Sequence, residues 1–221
     1  MVRLIDSDNP KTYDKFRKEE SSFHKKKYDK VFYFVKKNNK FRVLEVGAGT
    51  GTYTRFLVED FENTTATDLR KEMIEKLKKK KIRAKAVVAD SLKLHFKEES
   101  FDLFCAISVF HHIDRKSREK FFSQAHRVLK TRGYLVLTDP NKLNPFSSVF
   151  QALQGEYAIS RFELKKACKH AGFEIVKIGE ILARTPETSD FLQKIPFWDS
   201  VEKFFEFLHL GVTVFLVARK K

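Results

Sequence analysis

The sequence predicts a single α/β domain in which short, buried strands alternate with amphipathic helices. Residues 41–46 form an apolar run rich in branched side chains, as in a strand that is buried on both faces. Tyr53, Phe56 and Leu57 follow at helical spacing. A chain of 221 residues suits one domain with one sizeable core. Further short apolar runs occupy residues 64–69, 84–89 and 101–107.

Three glycines separate the first predicted strand from its helix. Gly47, Gly49 and Gly51 let the backbone turn sharply and leave N–H groups accessible to a ligand, as at a nucleotide-binding corner. Thr52 stands where a dinucleotide fingerprint has its third glycine, and the lysine of a P-loop is missing. Glu45 would repel a pyrophosphate but could pair with a cation. We therefore expect a cationic rather than a polyanionic ligand.

The segment EVGAGTG, residues 45–51, resembles motif I of the class I S-adenosylmethionine-dependent methyltransferases. Within that family the chain looks most like the small-molecule group of the ubiquinone/menaquinone type. The resemblance extends over residues 41–140, where 128–140 is similar to the family's helix, turn and fifth strand. It implies a Rossmann-like seven-stranded sheet in the order 3-2-1-4-5-7-6, with strand 7 antiparallel and helices on both faces. It also implies S-adenosyl-L-methionine as the cofactor, which carries a sulfonium cation and no phosphate.

The same resemblance implies cofactor contacts at the ends of successive strands. Asp68 stands where the family places the acid that binds the ribose hydroxyls, and Asp90 and Ser91 stand where it contacts adenine. A carboxylate that accepts two charge-assisted hydrogen bonds suits the ribose hydroxyls. Taken singly, each Asp could instead cap the following helix. The implied cofactor-binding set is Glu45, Gly47, Ala48, Gly49, Gly51, Asp68, Leu69, Asp90, Ser91 and Ala106.

Two adjacent histidines, His111 and His112, follow the fourth predicted strand. Small-molecule members of the resembling family often have a His at the position of His112. There a neutral imidazole could take a proton from an attacking hydroxyl, because His titrates near neutrality. A His at this place can equally hold the loop through hydrogen bonds to the backbone. Two adjacent rings offer too few ligands for a metal, so we expect no metal site.

The net charge of +15 at pH 7 raises the alternative of a nucleic-acid substrate. Residues 25–27 and 78–81 are lysine runs dense enough to attract phosphate. However, Lys outnumbers Arg, which recognises phosphate and bases better, and 78–81 also suits the end of a helix. We interpret the chain as a methyltransferase of a small-molecule or lipid-like acceptor. The alternatives are an RNA methyltransferase, a non-catalytic cofactor-binding module and an NAD-linked dehydrogenase.

The segments outside the central motifs suggest a division of one domain, 1–221, into three parts. We expect an N-terminal helical lid in 1–40, a cofactor-binding core in 41–140, and substrate-side helices with the last two strands in 141–221. Ser160 and Glu163 have the spacing of a capping box at the start of a helix. Tyr13 and Tyr28 are lid candidates that could instead pack on the sheet. Asp139 and Asn141 could bind a polar substrate. We expect Cys105 and Cys168 to be buried thiols.

The sequence also predicts where in the cell the protein is found. The first residues contain no apolar segment of signal-peptide length. No segment reaches the roughly 18 apolar residues that a membrane-spanning helix needs. These observations predict a soluble, cytoplasmic protein without a transmembrane segment.

Overall fold

The computed structural model describes residues 21–181 and 210–221. Its elements are a run of helices and strands with one short 3-10 helix, Phe110–His112. In chain order they are α1 (Ser21–Phe32), β1 (Arg42–Val46), α2 (Thr54–Asp60), β2 (Asn63–Asp68), α3 (Lys71–Lys79), β3 (Lys85–Val88), β4 (Phe101–Ile107), α4 (Arg118–Val128), β5 (Leu129–Pro140), α5 (Pro145–Leu153), α6 (Arg161–His170), β6 (Phe173–Ile181) and β7 (Thr213–Lys220).

The strands form one seven-stranded sheet in the order β3-β2-β1-β4-β5-β7-β6. The pairs among β1 to β5 are parallel, whereas β7 runs antiparallel to both β5 and β6. The order and directions that the resemblance implied are therefore confirmed. Because parallel strands end at the same edge, the loops after β1, β2, β3 and β4 lie together there.

Helices cover both faces of the sheet, also as expected. One core cluster packs Phe121, Phe122 and Leu164 of α4 and α6 against one face of the sheet. The other packs Phe32 of α1 and Leu57 of α2 against the opposite face. Alternate residues of β1 divide between them, since side chains alternate across a strand. The division is Leu44 and Val46 in the first cluster and Val43 in the second.

The residues expected to form a turn between α4 and β5 lie within the span of β5. β5 begins at Leu129, directly after α4 ends at Val128. The pairing with β4 shifts register between Phe101 and Leu103, so that residues 130–133 are accommodated as an irregularity inside the strand. Arg132 has a φ of 64° there. The extra residues thus bulge out of the strand instead of separating it from the helix.

Tyr28 of α1 packs within the core, which supports the packing alternative for this residue. Its ring stacks on Phe32 with 4.1 Å between centroids, and its hydroxyl donates to Asp60 at 2.6 Å. Tyr13, the second lid candidate, lies outside the described residues, as do the rest of 1–20 and the aromatic segment before Leu210. The helical lid therefore stays a prediction.

Three smaller expectations can be compared with the structure. Cys105 and Cys168 are buried free thiols, as predicted. The capping box is present: Ser160 accepts a hydrogen bond from the backbone of Glu163, whose side chain accepts one from the backbone of Ser160. Among residues 21–181 and 210–221, no helix has both the length and the apolar character needed to cross a membrane.

We expect Ser160→Ala to lower the free energy of unfolding by about 1 kcal/mol, because the first turn of α6 loses its cap. Urea unfolding measures the change. Ser123→Ala, at an exposed position within α4, is the matched control and should leave stability nearly unchanged. Equal stability of the two variants would show that the capping box contributes nothing.

Candidate functional site

The glycine corner after β1 has the backbone conformation that its sequence requires. Gly47, Gly49 and Gly51 have φ values of 65°, 55° and 90°, a region that other residues rarely adopt. A Cβ placed on Gly47 would lie 2.3 Å from Cγ2 of Val109, in the loop after β4. A side chain here would push that loop away. The corner and the loop after β4 are thus in close contact.

Glu45 is buried beneath this corner, with only 2% of its surface exposed. Its carboxylate accepts a hydrogen bond from the hydroxyl of Thr54 at 2.6 Å, which joins β1 to the first turn of α2. Burial raises the pKa of Glu45 to about 7; the hydrogen bond from Thr54 opposes this rise and the charge of Asp68 adds to it. A cation bound at this corner would favour the ionised carboxylate.

Asp68 ties the end of β2 to the glycine corner. Its two carboxylate oxygens accept hydrogen bonds from the backbone N–H groups of Gly49 and Arg70, both at 2.9 Å. The backbone carbonyl of Asp68 also accepts from Ala89, after β3, at 3.0 Å. Arg70, not Asp68, occupies the N-cap position of α3. Asp68 therefore organises the strand ends and is not the helix cap that it could have been on sequence grounds.

The remaining predicted cofactor residues divide into two groups. Leu69, Asp90 and Ser91 lie at the ends of β2 and β3, and Leu69 is an apolar side chain with 68% of its surface exposed. Asp90 is half-buried and accepts a hydrogen bond from the backbone of Leu92 at 2.8 Å. Ala106 differs from these, because it is fully buried in β4 and its methyl group belongs to the hydrophobic core. Ala48, in the corner itself, is also buried.

Helix α1 contributes two polar residues that sequence reasoning missed. The ring Nδ1 of His24 lies 2.8 Å from the hydroxyl of Tyr53, beside the glycine corner. Lys27 is buried, and its ammonium lies 3.4 Å from the hydroxyl of Ser108, just after β4. Both share one face of α1 with Tyr28, because their spacing is helical. Polar residues within an otherwise apolar stripe were the available signal.

His111 is held by a buried carboxylate from the neighbouring strand. Asp139, near the end of β5, accepts hydrogen bonds from the backbone N–H of His111 at 3.0 Å and from its ring Nδ1 at 2.6 Å. Burial lowers the pKa of His111, although the hydrogen bond to Asp139 acts in the opposite direction. His111 thus anchors the loop after β4 through a buried carboxylate, whereas the loop-holding alternative concerned His112.

His112 and Glu156 complete a polar cluster with His111. The ring Nδ1 of His112 lies 3.1 Å from one carboxylate oxygen of Glu156, and the ring Nε2 of His111 lies 3.7 Å from the other. Half of the His112 side chain is exposed, so this cluster opens to solvent. Glu156 follows α5, far from the histidines in sequence, and no pattern in the sequence connects them. Asn141, the other polar candidate after β5, is buried and donates to the carbonyl of Gly211.

Comparison with known proteins identifies the central part of the chain. Residues 44–137 match the family model described as "Methyltransferase domain". An S-adenosylmethionine-dependent methyltransferase from Archaeoglobus fulgidus has a similar fold, with a TM-score of 0.71, 18% sequence identity, and coverage of 94% of this chain and 97% of that one. Residues 44–137 therefore form a methyltransferase domain, and the fold is that of S-adenosylmethionine-dependent methyltransferases. This match favours the methyltransferase interpretation over an NAD-linked dehydrogenase.

The curated relatives of this methyltransferase domain match it over only part of their own length. An uncharacterised protein of Methanocaldococcus jannaschii is 33% identical over 102 residues, which are 46% of this chain and 42% of the relative. The probable tRNA methyltransferase 9B of Homo sapiens is 30% identical over 96 residues, which are 43% of this chain and 20% of the relative. The chain thus spans less than half the length of these relatives. The narrower likeness to the ubiquinone/menaquinone group stays a prediction.

The strand ends of the methyltransferase domain fit S-adenosylmethionine, the cofactor of this family. The three left-handed glycines leave the corner without side-chain bulk. A carboxylate accepts about four hydrogen bonds, and that of Asp68 accepts two from backbone N–H groups, so capacity for ribose hydroxyls remains. Leu69 presents an exposed apolar surface of the kind on which an adenine ring packs.

The buried carboxyl of Glu45 makes stability depend on pH in a defined direction. Its pKa is about 7 in the folded chain against an ordinary value of 4.5, so the folded state keeps a proton that the unfolded state has lost. Stability should therefore fall as the pH rises from 4.5 to 7. Glu45→Gln removes this loss. The free energy of unfolding of the variant, relative to that of the wild type, should rise by on the order of 3 kcal/mol from pH 5 to pH 8.

Urea unfolding of both proteins at the two pH values measures this gain. Glu59→Gln, an exposed position on α2, is the control, and its difference from the wild type should be the same at both pH values. If the difference in stability between Glu45→Gln and the wild type did not change with pH, the raised pKa of the buried Glu45 carboxyl would be contradicted.

Proposed function

We propose that the chain is an S-adenosylmethionine-dependent methyltransferase that acts on a small-molecule or lipid-like acceptor. The observation that carries this proposal is the hydrogen bond from the Gly49 backbone to the Asp68 carboxylate. It holds the glycine corner and the acidic strand end together in one methyltransferase domain. The His111, His112 and Glu156 cluster follows at the loops after β4 and α5.

In this proposal each strand end has a separate role toward the cofactor. Asp68 binds the ribose hydroxyls, Leu69 packs on one face of the adenine, and Asp90 with Ser91 binds the adenine edge. Glu45 acts through the corner, since its carboxylate is committed to Thr54 and buried beneath the glycines. Bound there, the cofactor would supply an activated methyl group on its sulfonium.

The acceptor side is formed by polar groups at the ends of β4 and β5. Asp139 is 2% exposed and fixes the orientation of His111, while His112 is half-exposed and reachable by an acceptor. His111 and His112 are the residues that we place at the reacting end. Methyl transfer needs mainly alignment of nucleophile, methyl and sulfur in a site that excludes water. A set of fixed polar side chains can orient a small acceptor in this way.

An RNA acceptor is the second candidate, because of the charge of +15 and the likeness to a relative named as a tRNA methyltransferase. The lysine runs give it limited support. Within residues 25–27, Lys27 is buried and Lys25 forms an ion pair with Asp29 at 2.6 Å. Lys78 and Lys79 lie in the last turn of α3, where cations complement the helix dipole. The first run is therefore not a continuous cationic surface, whereas residues 78–81 are all exposed.

We expect Asp68→Asn to weaken binding of S-adenosylhomocysteine by about 1–3 kcal/mol, or roughly 5- to 150-fold, since a charged hydrogen-bond acceptor for the ribose is lost. Isothermal titration calorimetry measures the dissociation constant. Asp29→Asn, which removes an exposed carboxylate from α1, is the control and should bind as the wild type does. An unchanged constant for Asp68→Asn would rule out its ribose role.

Leu69→Ser tests the cofactor site without disturbing the corner, because Leu69 is an exposed side chain beside it. We expect weaker binding of S-adenosylhomocysteine by about 1 kcal/mol or more, through lost apolar contact with adenine. Val176→Ser, at an exposed aliphatic position on β6, should bind normally. Equal affinity of the two variants would show that adenine does not pack on Leu69.

The acceptor class is tested by methyl transfer from labelled cofactor to small-molecule, lipid and RNA fractions. Labelling of small molecules or lipids is the expected result. Labelling of RNA, together with RNA binding that weakens steeply with salt, would favour the second candidate. Cofactor binding without any labelled product would favour a non-catalytic cofactor-binding module.

A further inference from the structure

We propose that His111, His112 and Glu156 form a binding site for a first-row divalent metal ion, best suited to zinc. We call these three residues the HHE cluster. Each offers one ligand atom, and the three atoms lie within 4.8 Å of one another. The sequence-based expectation of no metal site rested on the two adjacent histidines alone. The fold adds Glu156, a third ligand from a different part of the chain.

The distances in the HHE cluster are close to those around a bound zinc ion. Tetrahedral zinc with bonds of about 2.0–2.1 Å to nitrogen and oxygen places neighbouring donor atoms about 3.3 Å apart. One carboxylate oxygen of Glu156 lies 3.1 Å from His112 Nδ1, and the other lies 3.7 Å from His111 Nε2. The second distance is too long for a hydrogen bond. A small contraction around one ion would satisfy both.

The hydrogen bonding of His111 directs a lone pair into the cluster. Asp139 is a carboxylate and only accepts, so the ring Nδ1 of His111 carries the proton that it donates at 2.6 Å. Nε2 of the neutral ring is then an acceptor, and it faces a carboxylate oxygen of Glu156, which is also an acceptor. Either a proton on Nε2 or a metal ion between these two atoms would satisfy both of them.

Asp139 is a buried carboxylate that orients the ring of His111, and the charge of Arg118 lies near enough to act on it. It is 2% exposed, and its second oxygen, Oδ2, is buried without a hydrogen-bond partner among the described residues. A buried carboxylate is costly unless positive charge lies nearby. In metal sites, a ligating histidine commonly donates its other N–H to a carboxylate, which fixes its tautomer and orientation. Asp139 has this relation to His111.

The donor set and its exposure select the class of ion. Two imidazole nitrogens and one carboxylate oxygen suit zinc and other first-row divalent ions, whereas calcium and magnesium prefer oxygen ligands throughout. Three protein ligands leave a coordination position open, as in catalytic zinc sites. Half of the His112 side chain is exposed, so that position is accessible. An oxygen of the acceptor would bind there; only this last step rests on the proposed function.

The test is a titration of the untagged, chelator-treated full chain with Co²⁺, followed by its visible d–d absorption. Zn²⁺ then competes for the same site in the presence of a chromophoric chelator. We expect one Co²⁺ per chain with low-coordinate absorption bands, displaced by Zn²⁺. His112→Ala and Glu156→Gln should abolish these bands. Asp139→Asn should weaken binding by about 10- to 100-fold, the usual effect of a group that orients a ligand.

His170→Ala is the matched control, because His170 is an exposed histidine on α6 that lies 3.9 Å from an exposed glutamate. It should bind Co²⁺ as the wild type does. Absence of stoichiometric binding in the wild type, or unchanged binding in either His112→Ala or Glu156→Gln, overturns the proposal. Thermal melts with each variant establish that it is folded.

The same proteins separate this inference from the proposed function. Binding of S-adenosylhomocysteine should persist in His112→Ala, since the HHE cluster is not part of the cofactor set. Metal binding without cofactor binding in the wild type would count against the methyltransferase proposal alone. Cofactor binding without metal binding would count against the metal site alone.

Discussion

The hydrogen bond between the Gly49 backbone and the Asp68 carboxylate is the constraint on which the site depends. It joins the turn after β1 to the end of β2, and Asp68 also receives the backbone N–H of Arg70. One carboxylate therefore fixes two loops at the sheet edge. The left-handed glycines make this contact possible, because a side chain at Gly47 would already collide with Val109. The loops are held before any ligand arrives, which lowers the entropy that binding would otherwise lose.

Much of the fold could be predicted from the sequence, and the residues of the candidate cofactor site could be named from it, because the motifs that mark them are local. The glycine corner is a contiguous motif, and Asp68 and Asp90 each follow their own strand. The strand order came from the likeness of these motifs to a family, not from periodicity, and it is confirmed. Ala106 shows the limit of carrying residues over from a family. Its position on β4 matches the family motif, but its side chain lies in the hydrophobic core.

The acceptor side was harder to predict, because long-range contacts assemble it. Glu156 meets the histidines only because α5 returns the chain to the end of β4, and Asp139 meets His111 only because β4 and β5 are neighbours. The burial of Lys27 was not predicted for a different reason, because a run of lysines is normally exposed to solvent. Only the position of Lys27 on the same helix face as Tyr28 indicates that it points inward. The irregularity in β5 replaced an expected turn because the strand continues through it.

The position of β7 has a consequence for how the chain reaches its native state. β7 lies between β5 and β6, so residues 213–220 must be in place before β6 can join the sheet. Until then β5 presents an open, apolar edge of the kind that pairs with other chains. During synthesis, the sheet can therefore close only after β7 leaves the ribosome, and earlier intermediates are candidates for chaperone binding.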